Sequence, residues 1–166
     1  MIKDSYVEQI IDVKTPYVFF ARLGLAVMFL LIGFLLIVNH IILALACILA
    51  GMIFFNMVKD ERHVEYEYTL SNTHVEVAVI YNKAKRKELR GFDLDTISVI
   101  VPGTSKRFEG IPKLQVYDYT SDYEGGNIVM FYYEAQGKKY LFKLEPNDEV
   151  MEHVKLFAKG KLSEFE

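Results

Sequence analysis

The sequence predicts an α+β chain in two parts: a membrane-anchoring two-helix hairpin, then a seven-stranded antiparallel β-barrel or sandwich with a C-terminal helix. Three observations carry this. Residues 23–38 and 41–55 are apolar runs without a charge, interrupted only by Asn39 and His40. From about residue 62 the pattern changes to apolar/polar alternation, the period of a half-buried strand. The last twenty residues then carry one apolar stripe at helical spacing. Of the 166 residues, 52% are hydrophobic and 25% charged, which excludes intrinsic disorder. A net charge of −3 supplies no global basic field, so nucleic acid is not an expected partner. A single cysteine excludes an internal disulfide and a cysteine-based metal cage.

The hairpin comes first. Each run approaches the roughly 20 apolar residues that one bilayer crossing takes. One continuous helix through both would give about 50 Å of apolar rod, against a hydrocarbon core of about 30 Å. A turn at Asn39-His40 is therefore expected, with spans of about 16–38 and 41–58. Thr15 can cap the first span, with Pro16 in its first helical position. Lys14, Arg22, Lys59 and Arg62 flank the outer ends, whereas the turn has no formal charge. The positive-inside rule then puts both termini in the cytoplasm of a multi-pass inner (plasma) membrane protein. Ala46 with Ala50, and Cys47 with Gly51, form small-xxx-small pairs for close backbone approach. Self-packing of the hairpin is preferred to a homo-oligomer interface. Before it, residues 1–15 form an N-terminal interfacial segment. Ser5 and Glu8 have capping-box spacing, so a short helix carrying Tyr6, Val7, Ile10, Ile11 and Val13 is expected, the alternative being a frayed tail.

The water-soluble part occupies 62–166. Val64, Tyr66, Tyr68 and Leu70 alternate with polar residues, Ser71-Asn72-Thr73 supplies a turn, and Val75, Val77, Val79 and Tyr81 alternate again. Further strands are expected at 87–92, 97–101, 113–119, 127–134 and 139–144, separated by Pro102-Gly103, Gly125-Gly126 and Gln136-Gly137. Pro146-Asn147-Asp148-Glu149 is a helix start with a capping side chain and acidic residues at the positive end of the helix dipole. Val150, Val154, Phe157 and Ala158 then make one apolar stripe.

Seven strands followed by one helix in about a hundred residues resembles the pleckstrin-homology-like barrel. The whole chain resembles small bacterial membrane proteins with a two-helix hairpin ahead of a PH-like domain. Met1-Ile2-Lys3-Asp4-Ser5-Tyr6-Val7-Glu8, Glu67-Tyr68-Thr69-Leu70-Ser71-Asn72 and Leu144-Glu145-Pro146-Asn147 carry the likeness. The resemblance implies a fold and a placement, not an activity. Eukaryotic PH domains that bind phosphoinositides have basic residues in the first hairpin turn, and Ser71-Asn72-Thr73-His74 has none.

No nucleophile elbow, phosphate-binding loop, dinucleotide fingerprint or H-E-x-x-H motif is present. His40 reads as a turn residue and His153 as a solvated or helix-edge residue, and His63 and His74 fall at opposite ends of the first β-hairpin. No catalytic residue, metal or cofactor is therefore expected. Asp118, Asp122 and Glu124 read as a solvated loop, without the ligand spacing of an EF-hand. Lys83, Lys85, Arg86, Lys87 and Arg90 form the most charged stretch and are candidate contacts to anionic headgroups. Leu114, Gln115, Tyr117 and Tyr119, with Val150, Val154 and Phe157, are candidates for a groove that takes an extended peptide onto an open sheet edge. The expected function is a non-enzymatic binding or scaffold module at the cytoplasmic membrane face, with lipid bilayer and a protein as partners. The rival expectations are an accessory subunit of a larger membrane complex acting through the hairpin, and an anionic-lipid sensor.

Overall fold

The computed structural model describes residues 5–59 and 62–165. Their order is β1 (Tyr6–Val13), α1 (Tyr17–Leu36), α2 (Ile41–Val58), β2 (Val64–Ser71), β3 (His74–Tyr81), β4 (Lys85–Glu88), β5 (Phe92–Asp93), β6 (Val99–Pro102), β7 (Leu114–Asp118), β8 (Val129–Ala135), β9 (Lys138–Leu144) and α3 (Asp148–Phe157). These fall into two compact units, one drawn from the described residues of 5–13, 65–80 and 86–165 and the other from those of 14–59, 62–64 and 81–85.

In the helical unit, α1 and α2 are both long and apolar enough to cross a membrane. Pro16 is the N-cap of α1 with extended backbone, one residue earlier than a first-turn proline. Phe19 and Val58 are buried toward the outer ends of the two helices, and nearer the turn the buried residues are small: Ala26 and Gly33 on α1, Ala44 and Gly51 on α2. A methyl group on Gly33 would stand 2.6 Å from Ile48 Cγ1, and one on Gly51 2.8 Å from Leu30 Cγ. Both glycines are there for close approach of the two backbones. Gly51 was expected on this seam, but Ala46 is exposed and Cys47 and Ala50 are half-buried. The seam runs through Ala44 and Gly51, seven residues apart, so it is rotated from the Ala46–Ala50 line. Phe29 and Phe54 stack with ring centroids 5.8 Å apart. The turn Asn82-Lys83, with both residues at positive φ and Ala84 N–H donating to Tyr81 O at 3.1 Å, also belongs to this unit.

The other unit is a two-sheet sandwich. One sheet runs β1-β2-β3-β4, with β5 also pairing β3; the second runs β6-β8-β9-β7. Between the sheets Tyr68, Leu70, Val75, Val77, Phe131 and Phe142 are fully or almost fully buried, and α3 adds Val150, Met151 and Val154. Asn147 caps α3 as the sequence indicates, its Oδ1 accepting from Val150 N–H at 2.9 Å.

Four expectations are corrected. The segment expected as a short N-terminal helix is strand β1, at the edge of the first sheet. Ser5 does not close a capping box: its N–H donates to Asn72 Oδ1 at 3.1 Å, and its carbonyl accepts from Asn72 N–H at 3.0 Å. The strands number nine among the described residues, not seven. Besides β1, the expected strand at 87–92 is broken into β4 and β5, where Gly91 passes so close to Val75 O that a Cβ would be 2.5 Å away. The sheets do not close into one barrel. Nor is the arrangement an all-antiparallel meander, because β7 pairs parallel with β9 in the register Leu114↔Lys139 to Asp118↔Lys143. The β8–β9 hairpin is fixed by Gln136 and Gly137, both at positive φ, as a two-residue primed turn requires. The ten-residue connection before β8 carries β7 past it to the outer side of β9.

Candidate functional site

The two edges of the β6-β8-β9-β7 sheet differ. Alongside β6, Ile100 N–H donates to Lys161 O at 2.8 Å and Ser163 N–H to Ile100 O at 2.9 Å, so the segment after α3 covers that edge. Strand β7 has β9 on one side and no strand on the other among the described residues. An uncovered edge is a row of backbone donors and acceptors available to another chain.

Side chains alternate across β7. Leu114 and Val116 line a cavity of about 270 Å³ on the outer face, with Phe108, Ile128, Met130 and Leu141. Val116 is 49% exposed. The cavity is formed by the loop before β7, from which Phe108 stacks on Tyr132 at 4.9 Å; Val101, Phe108, Met130 and Leu141 make a small second core there. Gly103 admits the loop, since a Cβ would stand 2.7 Å from Ile128 Cβ. On the inner face Tyr117 stacks on Phe142 at 4.9 Å. At the start of β7 a concavity of about 720 Å³ is lined by Pro112–Gln115 and Gly137–Lys139. Its three lysines, Lys113, Lys138 and Lys139, have no carboxylate partner among the described residues.

The C-terminal end of the strand is pinned. Asp118 Oδ1 accepts from Thr120 Oγ1 at 2.7 Å and from Thr120 N–H at 3.3 Å, and Asp118 Oδ2 pairs with Lys143 Nζ at 3.1 Å. Partial burial pushes this carboxyl up, but the bonds from Thr120 and Lys143 outweigh it and hold the pKa below the ordinary aspartate value. Just beyond, the buried Tyr68 hydroxyl donates to Tyr119 O and accepts from Glu145 N–H at 3.3 Å. Tyr68 thus ties β2 of one sheet to the ends of β7 and β9 of the other, and burial raises its phenol pKa well above the usual value. Glu145 Oε2 also accepts from Ser121 N–H at 3.0 Å. Arg90 donates to the hydroxyl of Tyr117, one residue before Asp118, at 2.7 Å. Its guanidinium carbon is 5.3 Å from the Tyr117 ring centre and 4.9 Å from that of Tyr140.

The expected groove residues separate into two places. Leu114, Gln115 and Tyr117 are on β7, and Tyr119 follows it. Val150 and Val154 are core residues at 1% exposure, and α3 packs beside β1, so the helix does not frame the edge. Phe157 packs against the core and stacks on His153 at 4.6 Å. His153, expected as a solvated or helix-edge residue, is 4% exposed. Its Nδ1 is 3.1 Å from Ser5 Oγ and its Nε2 2.7 Å from Asn72 O, because α3 lies over the strand that replaced the expected helix.

The basic stretch is also divided. Arg86 pairs with Glu67, with Glu76 at 2.9 Å and with Glu88 at 3.4 Å, while Arg90 is held by Tyr117 and Tyr140. Lys83 occupies the β3–β4 turn, and Lys85 and Lys87 stay exposed on β4. The outer-face cavity was missed, although the Leu114/Val116 alternation after Pro112 was its visible signal.

A family model described as a bacterial PH-like domain (DUF6106) matches residues 3–164. No curated protein and no solved structure matches the chain.

Proposed function

The chain belongs to the bacterial PH-like domain family, and from that premise we propose a non-enzymatic, membrane-anchored module that captures an extended peptide on the open edge of β7. The observation that carries the reading is the asymmetry of the second sheet: one edge is covered by the chain's own C-terminal segment, and the other is bare among the described residues, beside a mostly apolar cavity that Glu109 and Lys143 also line. Strand addition gives affinity through main-chain hydrogen bonds and specificity through pockets for alternate side chains. The cavity under Leu114 and Val116 takes an apolar side chain. Lys113, Lys138 and Lys139 favour acidic residues toward the start of β7. The expected ligand is therefore an extended acidic segment with an apolar anchor.

The non-enzymatic part of the reading is supported by how the polar side chains are used. His153, Tyr68, Glu145 and Asp118 are each engaged in bonds that hold strands and loops. The anchor is the α1–α2 hairpin, whose Lys14, Arg22, Lys59 and Arg62 flanks favour cytoplasmic ends in a multi-pass inner-membrane topology.

The test is site-specific photocrosslinking of the full chain in native membranes, with the crosslinker at Gln115 and, for comparison, at exposed Lys155 on α3. A partner captured only at Gln115, and lost when Val116→Glu places a charge at the cavity mouth, is the expected result. Equal capture at both positions, or capture indifferent to Val116→Glu, overturns the edge as the binding surface. Capture that survives Val116→Glu but not replacement of the hairpin by another two-span anchor transfers the function to the hairpin.

A further inference from the structure

The helical unit contains a pocket of about 530 Å³ where the first turns of α1 meet the last turns of α2. Its floor includes Phe20 and Leu23 of α1 and Phe55 of α2, and its rim Lys59, Arg62 and Asn82. Asn82 organises the rim through the backbone: its N–H donates to His63 O at 2.8 Å and its side-chain amide to Lys59 O at 2.9 Å. Thr15 Oγ1 donates to Arg62 O at 3.4 Å. These bonds position the chain at both cations without using either charge. Lys59 Nζ donates to the neutral Asn56 Oδ1 at 3.1 Å, and neither Lys59 nor Arg62 has an ion pair among the described residues.

We propose that this pocket binds one anionic phospholipid of the leaflet in which the helix ends lie. The inference rests on the reading of α1 and α2 as membrane-spanning. An aromatic and aliphatic floor, with two cations on one rim that have no ion pair among the described residues, is complementary to a phosphate joined to an acyl chain. Basic pockets between membrane helices select acidic headgroups on this principle. The volume, within the range of ligand pockets, suits a headgroup and the upper part of one chain. A zwitterionic headgroup adds a cation that Lys59 and Arg62 disfavour, and a soluble phosphate leaves the apolar floor unused. The site uses no residue of β7 and needs no peptide.

The chain contains no tryptophan, so Phe20→Trp, at a position 59% exposed, puts a single, selectively excitable tryptophan at the pocket. The full-length variant is reconstituted in phosphatidylcholine vesicles with a minority of either brominated phosphatidylglycerol or brominated phosphatidylcholine. Brominated phosphatidylglycerol is expected to quench beyond its mole fraction. One near-surface charge corresponds to about fivefold in affinity, so adding Lys59→Gln and Arg62→Gln should reduce the preference by about 25-fold while quenching by phosphatidylcholine persists. Soluble glycerol phosphate should not relieve the quenching; full relief would overturn the lipid assignment. Equal quenching by both lipids, in a chain that remains in the bilayer, overturns the site and leaves the anchor intact. A chain removed from vesicles by alkaline carbonate overturns the anchor, and the site with it.

Discussion

Tyr68→Phe isolates one hydroxyl on which the two sheets of the sandwich depend. Tyr68 is 0% exposed; its hydroxyl donates to Tyr119 O and accepts from Glu145 N–H. The substitution keeps the ring and deletes the oxygen. A lost hydrogen bond costs about 0.5–1.5 kcal/mol net, and a buried group left unsatisfied adds about 1–3 kcal/mol. A destabilisation of roughly 2–4 kcal/mol is therefore expected. Urea unfolding of the full chain in mild detergent, followed by near-ultraviolet tyrosine dichroism, reads it as a lower midpoint. The pH dependence supplies a second, independent sign. Burial raises the folded-state phenol pKa above the unfolded value, so this group's contribution is complete below about pH 10 and is lost as pH rises further. One proton's difference corresponds to about 1.4 kcal/mol per pH unit, and the phenylalanine variant should lose stability less steeply there. The slope flattens without vanishing, because burial also raises Tyr119 and Tyr133. A midpoint unchanged within about 0.5 kcal/mol, well below the hydrogen-bond estimate, would show that this hydroxyl does not join the sheets.

Three further outcomes follow from the packing. Gly33→Leu should separate α1 from α2, since even a methyl group would press on Ile48 and Ala44 O, whereas Gly24→Ala, with nothing within 4 Å, should leave the hairpin intact; disulfide trapping between cysteines placed across the seam distinguishes them. His153→Phe preserves an aromatic ring against Phe157 but removes both ties to Ser5 and Asn72, and should cost about 1–3 kcal/mol for the polar groups left behind, with limited proteolysis reaching β1 earlier than in the native chain. Arg86→Gln leaves Glu67, Glu76 and Glu88 facing one another without their shared cation; a lower unfolding midpoint is expected, partly restored by added salt or by Glu67→Gln, and a salt-independent loss would contradict the electrostatic account.

The elements most legible in the sequence are those whose period is local. The break at Asn39-His40, the alternation of β2 and β3, the paired positive-φ residues of the β8–β9 turn and the Asn147 cap all follow from neighbours within a few positions. β1 was misread because Ser5 and Glu8 fit a helix cap as well as a strand entry. What decides is Asn72, sixty-seven residues away, which no window around Ser5 contains. His153 was misread by the same route, since its burial exists only because β1 lies beneath α3.

The open edge belongs to this second, non-local kind. Alternation marks Leu114 to Asp118 as a strand, but a strand has no local signal for which neighbours it gains. If β7 had continued the meander it would have been flanked on both sides. The parallel pairing with β9 moves it to the outside, while the segment after α3 returns to cover β6. Proteins usually protect bare edges with charge, proline or a covering element, and β7 carries one paired aspartate and a half-exposed valine over a cavity instead. Leaving one edge covered and the other bare within the same sheet is the arrangement expected where strand addition is used. That contrast is why Val116→Glu, which adds the missing protection to one edge and nothing to the other, is the substitution on which the peptide reading stands.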